Sequence, residues 1–177
     1  MKPWKIIQKL EATSSRLEKE AIVKANWHNT EFKSGLKLAL DPMSTFGIKQ
    51  VPEKVGGEAW PEIGYGAVGW DVTTSNDTLI TIHDIEVCCD ELSARKLTGN
   101  NAKDAIAGLI GRCESIDEWN YWYRRILLKD LKCGISEKTV NKVYGKGFIP
   151  VFGCMLAKDG THQQEKITGQ QVVEYKF

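Results

Sequence analysis

Apolar positions recur at helical spacing through most of this chain. Pro3 suits the first turn of a helix, where its missing N–H costs nothing, and Trp4, Ile6, Ile7 and Leu10 follow at intervals of three and four. Thr13-Ser14-Ser15 breaks the run and can cap a second helix to about Asn26, with Leu17, Ala21, Ile22 and Ala25 inward. A third helix is expected from Asn29 or Thr30 to Leu40, on the stripe Phe32, Leu36, Ala39 and Leu40. Asp41-Pro42 ends it, because the residue before a proline is pushed out of the helical region. Residues 42–77 lose the period and hold many glycines, three prolines, Trp60, Tyr65 and Trp70. Such a connection is either a binding loop or packing material pinned to the helices; the tryptophans favour packing. Leu79, Ile80, Ile82, Ile85, Val87 and Leu92 mark a fourth helix from about Thr81 to Leu92, although the β-branched content of 78–82 also fits a strand.

The second half continues in helices. Asn100 or Asn101 is the expected cap of a fifth helix carrying Ala102, Ala105, Ile106, Leu109 and Ile110. Ser115 or Asp117 caps a sixth that runs into Leu131, with Trp119, Trp122 and Tyr123 in the core. Residues 124–144 then read as helix, stop, helix. Gly134 supplies the stop, Ser136 the next N-cap, and Thr139, Val140 and Val143 the second helix. The turn presents free amide N–H groups and a partial positive charge beside Lys132 and Lys138, which suits a phosphate. An ordinary αα-hairpin with a solvated basic rim fits the same spacing. Leu97-Thr98-Gly99-Asn100 is a second stop and restart. After Pro150 the character changes, and Gln171–Phe177 reads as a strand. The expected fold is mainly α: a compact helical domain over 1–149, followed by a short β-containing segment over 150–177.

Charge changes this picture, while bulk composition does not. Lys and Arg number 24 and Asp and Glu 23, so the whole chain is nearly neutral. The balance is uneven: residues 1–94 carry 10 basic and 14 acidic side chains, residues 95–149 carry 11 and 6, and residues 150–177 carry 3 of each. A basic half on a neutral chain suits a one-sided contact with a polyanion. The five cysteines include no Cys-x-x-Cys pair, so neither a disulfide framework nor a zinc site is expected, and reduced buried thiols fit best. No signal peptide or membrane span is seen. Gly64-Tyr65-Gly66-Ala67-Val68-Gly69 lacks the flanking strand and helix of a phosphate-binding loop. His28, His83 and His162 are isolated, and no metal is expected.

The run Arg-Ile-Leu-Leu-Lys-Asp-Leu-Lys-x-Gly-Ile-Ser-x-Lys-Thr-Val within Tyr123–Val143 resembles the C-terminal part of the DNA-binding domain of ATP-dependent DNA ligases. Ala94-Arg95-Lys96-Leu97-Thr98-Gly99-Asn100-Asn101-Ala102 is similar to the matching segment in the ligases of T-even bacteriophages. Phe148-Ile149-Pro150, followed by Met155-Leu156-Ala157, resembles their linker into the catalytic domain. The likeness covers residues 94–177 well and 1–93 only in general helical character. It implies a domain that grips nicked duplex DNA from the minor-groove side. The implied phosphate contacts are Lys132, Gly134, Ser136, Lys138 and Thr139 at one helix start, and Arg95, Lys96, Thr98, Gly99, Asn100 and Asn101 at another. Arg125, like Arg124 and Lys129, is a weaker candidate. Lys176-Phe177 falls where the family's Lys-x-Asp-Gly motif would begin, which makes Lys176 the AMP-accepting lysine of an incomplete motif. The resemblance further implies ATP and Mg2+ as cofactors of the full enzyme, none bound by residues 1–177, whose own ligation activity is expected to be absent. The implied partners are nicked duplex and the remaining catalytic and OB-fold domains, with no membrane, in a cytoplasmic setting. The alternative is a stand-alone helical adaptor that binds other proteins.

Overall fold

The computed structural model describes residues 1–56 and 79–151, and all the regular structure among them is helical. In chain order the helices are α1 (Pro3–Ala12), α2 (Arg16–Ala25), α3 (Thr30–Leu40), α4 (Ile82–Ser93) and α5 (Gly99–Arg112). A composite helix follows, made of α6 (Ile116–Glu118), a π-helical turn (Trp119–Tyr123) and α7 (Arg124–Leu127); α8 (Glu137–Tyr144) comes last. The expected β segment and Trp60, Tyr65 and Trp70 lie outside the described residues, apart from Pro150 and Val151.

Most helix starts obey their caps. Ser15 Oγ accepts from the Glu18 amide at 3.5 Å, Asn29 Oδ1 from Phe32 at 3.0 Å and Ser115 Oγ from Glu118 at 3.2 Å. Each bond satisfies an amide that the first turn would otherwise leave open. No strand forms over 79–82; Thr81 instead closes a capping box with Asp84. Asp84, 3% exposed, also receives Arg112 Nη2 at 2.9 Å, so a buried ion pair ties α4 to α5. Burial raises the Asp84 carboxyl, but the hydrogen bonds from Thr81 and Arg112 outweigh it and hold the group below its ordinary value.

The composite helix is the hub. It packs on α1 through the π turn and on α3 through α7. Trp119 and Trp122 are fully buried there, as expected of core aromatics. α3 approaches so closely that a Cβ on Gly35 would sit 2.2 Å from Trp122 Cζ2. The π turn and the first residue of α7 also point polar groups at the backbone of residues 51–54. Trp119 Nε1 donates to the Pro52 carbonyl at 2.9 Å, and Arg124 Nε donates to that of Val51 at 2.9 Å. The Asn120 amide both donates to Lys54 O at 3.0 Å and accepts from Lys54 N at 2.9 Å. This part of the irregular connection is therefore packed down, stapled by four side chain–backbone bonds.

Helix ends depart from expectation. The sixth helix was expected to reach Leu131 and stop at Gly134, but it stops at Leu127. Lys129, at φ 55°, is the left-handed residue that ends it; its amide bonds to Ile126 O at 2.9 Å, and the Asp130 amide bonds to Arg125 O at 3.1 Å. α4 ends the same way at Arg95, at φ 61°, with Lys96 N donating to Glu91 O at 2.9 Å. The fifth helix is capped at Thr98, two to three residues before the expected Asn100 or Asn101.

Candidate functional site

Two helix starts were singled out by sequence, those of α8 and α5. At both, the cap residue is extended and its hydroxyl accepts no bond from its own helix: Ser136 at φ −120°, ψ 167° and Thr98 at φ −143°, ψ 159°. The Ser, Thr and Asn caps of α2, α3, α4 and α6 all make that bond. The first-turn amides of α5 and α8 thus lack the side-chain acceptor that α2, α3, α4 and α6 have.

Around α8 the chain forms a cleft of about 270 Å³ lined by Ser14, Arg16, Lys19, Gly134, Ser136, Lys138 and Thr139. Four of these were expected: Gly134, Ser136, Lys138 and Thr139. The other three come from the start of α2, which packs on α8. Lys19 Nζ donates to Gly134 O at 3.5 Å, and Lys142 Nζ reaches Glu20 at 2.5 Å, so cationic side chains join the two helices. Thr13-Ser14-Ser15 was legible as a cap, but neither Arg16 and Lys19 nor the meeting with α8 carried a local signal.

Lys132 does not line this cleft. At φ 52° it turns to a separate polar recess of about 230 Å³ that it shares with Glu53, Asn120, Tyr121, Arg124 and Arg125. Arg125 is only 8% exposed; its Nη1 donates to Leu131 O at 2.8 Å and its Nη2 to Glu11 Oε1 at 3.1 Å, with the guanidinium 4.7 Å from the Tyr121 ring centre. It is a clamp inside the fold and not an exposed cation. Lys129 donates to Leu38 O and Asp41 O at the end of α3, and burial pushes its amine below the ordinary value. Arg124 pairs with Glu53 at 3.2 Å.

At the α5 start, Arg95, Lys96, Thr98, Gly99, Asn100 and Asn101 are all exposed. Lys96 pairs with Glu91 at 2.9 Å, and the Arg95 guanidinium lies against Gly47. None of these residues lines the cleft at α8. Lys176 lies outside the described residues.

Cys88, Cys89, Cys113 and Cys133 are buried free thiols, and burial pushes Cys88 up to about 12 and Cys113 and Cys133 to about 11. These are packing residues, not nucleophiles. Among the described residues no group of three or more His, Cys, Asp or Glu side chains could hold a metal ion, and no helix is long and apolar enough to cross a membrane.

No protein-family model matches the chain. The DNA ligases of Enterobacteria phages T4 and T6 are each 30% identical to it over 155 residues, which is 86% of this chain and 28% of theirs. The chain thus spans just over a quarter of the length of these curated relatives. Two solved structures share its fold. Pmar-Lig_PreS3 matches with a TM-score of 0.70 at 36% identity, and Pmar-Lig_Pre with 0.71 at 35%; each match covers 94% of this chain and 35% of the other. In sequence the chain is similar to the N-terminal part of DNA ligases of the T-even bacteriophage kind, and in fold to part of the Pmar-Lig structures.

Proposed function

We propose that residues 1–149 are the DNA-binding domain of an ATP-dependent DNA ligase and that residues 150–177 open its nucleotidyltransferase domain. The domain grips nicked duplex from the minor-groove side through the sugar–phosphate backbone, a mode that holds DNA without reading sequence. The observation that carries this reading is the 30% identity to phage T4 DNA ligase over 155 residues. The exposed starts of α5 and α8 support it, since each offers uncapped amides and hydroxyls next to lysines. In the full protein, Lys176 would take AMP from ATP with Mg2+. With pyrophosphate expelled in that step, the enzyme would then pass AMP to a DNA 5′-phosphate, and attack of the 3′-hydroxyl on that phosphate would form the phosphodiester and expel AMP, with the further catalytic and OB-fold domains supplying the pocket and serving replication, repair and recombination.

The test is fluorescence anisotropy of a nicked duplex with the 177-residue chain. A backbone grip loses affinity linearly in log salt, with a slope of about −0.9 per phosphate contact. Changing Lys132 and Lys138 to Glu should abolish binding while circular dichroism stays unchanged, since both residues are exposed. Salt-independent binding, or none, would overturn the reading and leave the helical adaptor.

A further inference from the structure

We infer that the face where α3 meets the ends of α2 and α8 takes an unpaired DNA strand, stacking a base on Trp27 and pairing phosphates with Lys33 and Lys37. The inference goes beyond the duplex grip: it names a second form of DNA and a surface that includes neither helix start. The residues form one continuous ribbon. Lys33 Nζ lies 5.4 Å from the Trp27 ring centre and 5.3 Å from that of Tyr144. Tyr144 stacks on Phe148 with ring centres 4.6 Å apart, and Lys37 Nζ stands 4.8 Å from the Phe148 centre. His28 flanks Trp27, with ring centres 4.2 Å apart. Alternating cations and rings suit a single strand, in which every base has a face to stack and every linkage a charge to neutralise.

Lysine stems laid over rings also occur as plain surface packing. Two observations favour a ligand. Trp27 keeps 50% of its surface exposed, although burial is the main contribution a tryptophan makes to a fold. The charge around it is also one-sided. Lys33 and Lys37 make no ion pair among the described residues. The one carboxylate within residues 26–40 is Glu31, which accepts the Tyr123 hydroxyl of the composite helix at 3.2 Å. Residues 141–150 hold none; Lys146 stands in the turn between the stacked rings, and Lys142 is paired with Glu20. Positions 33 and 37 share one face of α3, about 6 Å apart along its axis, close to the spacing of neighbouring phosphates in an extended strand. The Tyr144 hydroxyl oxygen is buried and has no partner among the described residues, so this residue offers its ring and not a polar hook. A duplex hides the faces of its bases, so a half-open tryptophan selects an unpaired strand.

The test is fluorescence anisotropy of a labelled oligothymidine and, separately, of nicked duplex, with the 177-residue chain and its variants. Trp27→Ala should weaken oligothymidine binding about ten-fold or more, the worth of one stacked base, while Trp27→Phe retains most of it. The Lys33→Gln/Lys37→Gln pair should lose about 1.4 from the single-strand salt slope. Tyr144→Phe should bind like wild type, because it removes only the unpartnered hydroxyl. Trp27 and Lys37 are exposed, so circular dichroism should stay unchanged on their substitution. Every variant should keep wild-type affinity for nicked duplex. Absence of oligothymidine binding by wild type, or binding that Trp27→Ala and the lysine pair leave unchanged, overturns the inference. Equal loss of duplex and single strand in these variants overturns it too, by placing the face within the duplex grip. Oligothymidine binding that depends on Trp27, with no duplex binding by wild type, leaves the inference standing and overturns the grip.

Discussion

Arg125 offers the sharpest separation between a residue that touches DNA and one that holds the fold. The family resemblance places it among phosphate contacts, while the structure buries it. Its bond to the buried Leu131 carbonyl at 2.8 Å is charge-assisted, worth about 1.5–3 kcal/mol. The pair with Glu11, whose side chain is 35% exposed, adds at most about 1 kcal/mol. The Tyr121 ring adds about 0.5–1 kcal/mol. These contributions share one side chain and do not simply add, so Arg125→Ala should cost about 3 kcal/mol in urea unfolding, mostly through the orphaned carbonyl. Arg125→Lys should recover little of it, because an ammonium lacks the fork that reaches Leu131 and Glu11 together. Duplex binding should fall as well, since Leu131 anchors the loop that carries Lys132 and Gly134. The reasoning fails if Arg125→Ala keeps wild-type stability yet loses duplex affinity, or if Lys substitutes freely. Either result would put the guanidinium against a phosphate.

Two further outcomes follow from the core. Gly35→Ala would gain about 1 kcal/mol of helix propensity elsewhere, but here its Cβ meets Trp122 Cζ2 at 2.2 Å and Ile126 Cδ1 at 2.8 Å. Overpacking of about 1–3 kcal/mol should win, giving a lowered urea midpoint that Trp122→Phe partly restores; a stabilised Gly35→Ala would refute the tight crossing. Asp84→Asn should cost about 3 kcal/mol at neutral pH by breaking the buried pair with Arg112. Because the folded Asp84 carboxyl sits below its ordinary value of 3.8, the gap to wild type should be complete above that pH and close as pH falls through the lower folded value. A gap independent of pH would show that charge on Asp84 is not what stabilises.

Helix starts were legible because their chemistry is local. Ser15, Asn29, Ser115 and Ser136 each stand where a short polar side chain precedes an apolar stripe, and each is an N-cap. Helix ends were not, and the reason lies in distant partners. Gly134 and Gly99 drew attention as stops, while the residues that end α7 and α4 are Lys129 and Arg95. Left-handed backbone is unfavourable for such side chains, by about 1 kcal/mol or more. Lys129 recovers that cost by donating to carbonyls 91 and 88 residues away, at Leu38 and Asp41, and by lying 4.8 Å from the Phe46 ring centre. No window of sequence contains those contacts. The same limit divided the candidate cleft: the half on α8 could be read, and Lys19, 115 residues from Gly134, could not.

The corner between α7 and α8 therefore owes its shape to groups outside it. Lys129, Lys132 and Gly134 all have positive φ within six residues, a backbone path that collapses unless something fixes each bend. Lys129 Nζ donates to Leu38 O and Asp41 O at the end of α3, Asp130 Oδ1 accepts from Lys132 N at 3.0 Å, and Lys19 holds Gly134. Each bend has its own tether, and two of the three tethers come from other helices. A loop so constrained surrenders little further entropy when a ligand arrives, which is where a sequence-tolerant grip must economise. Such a grip cannot draw affinity from base edges, so its affinity depends on amides and cations already standing where phosphates will sit.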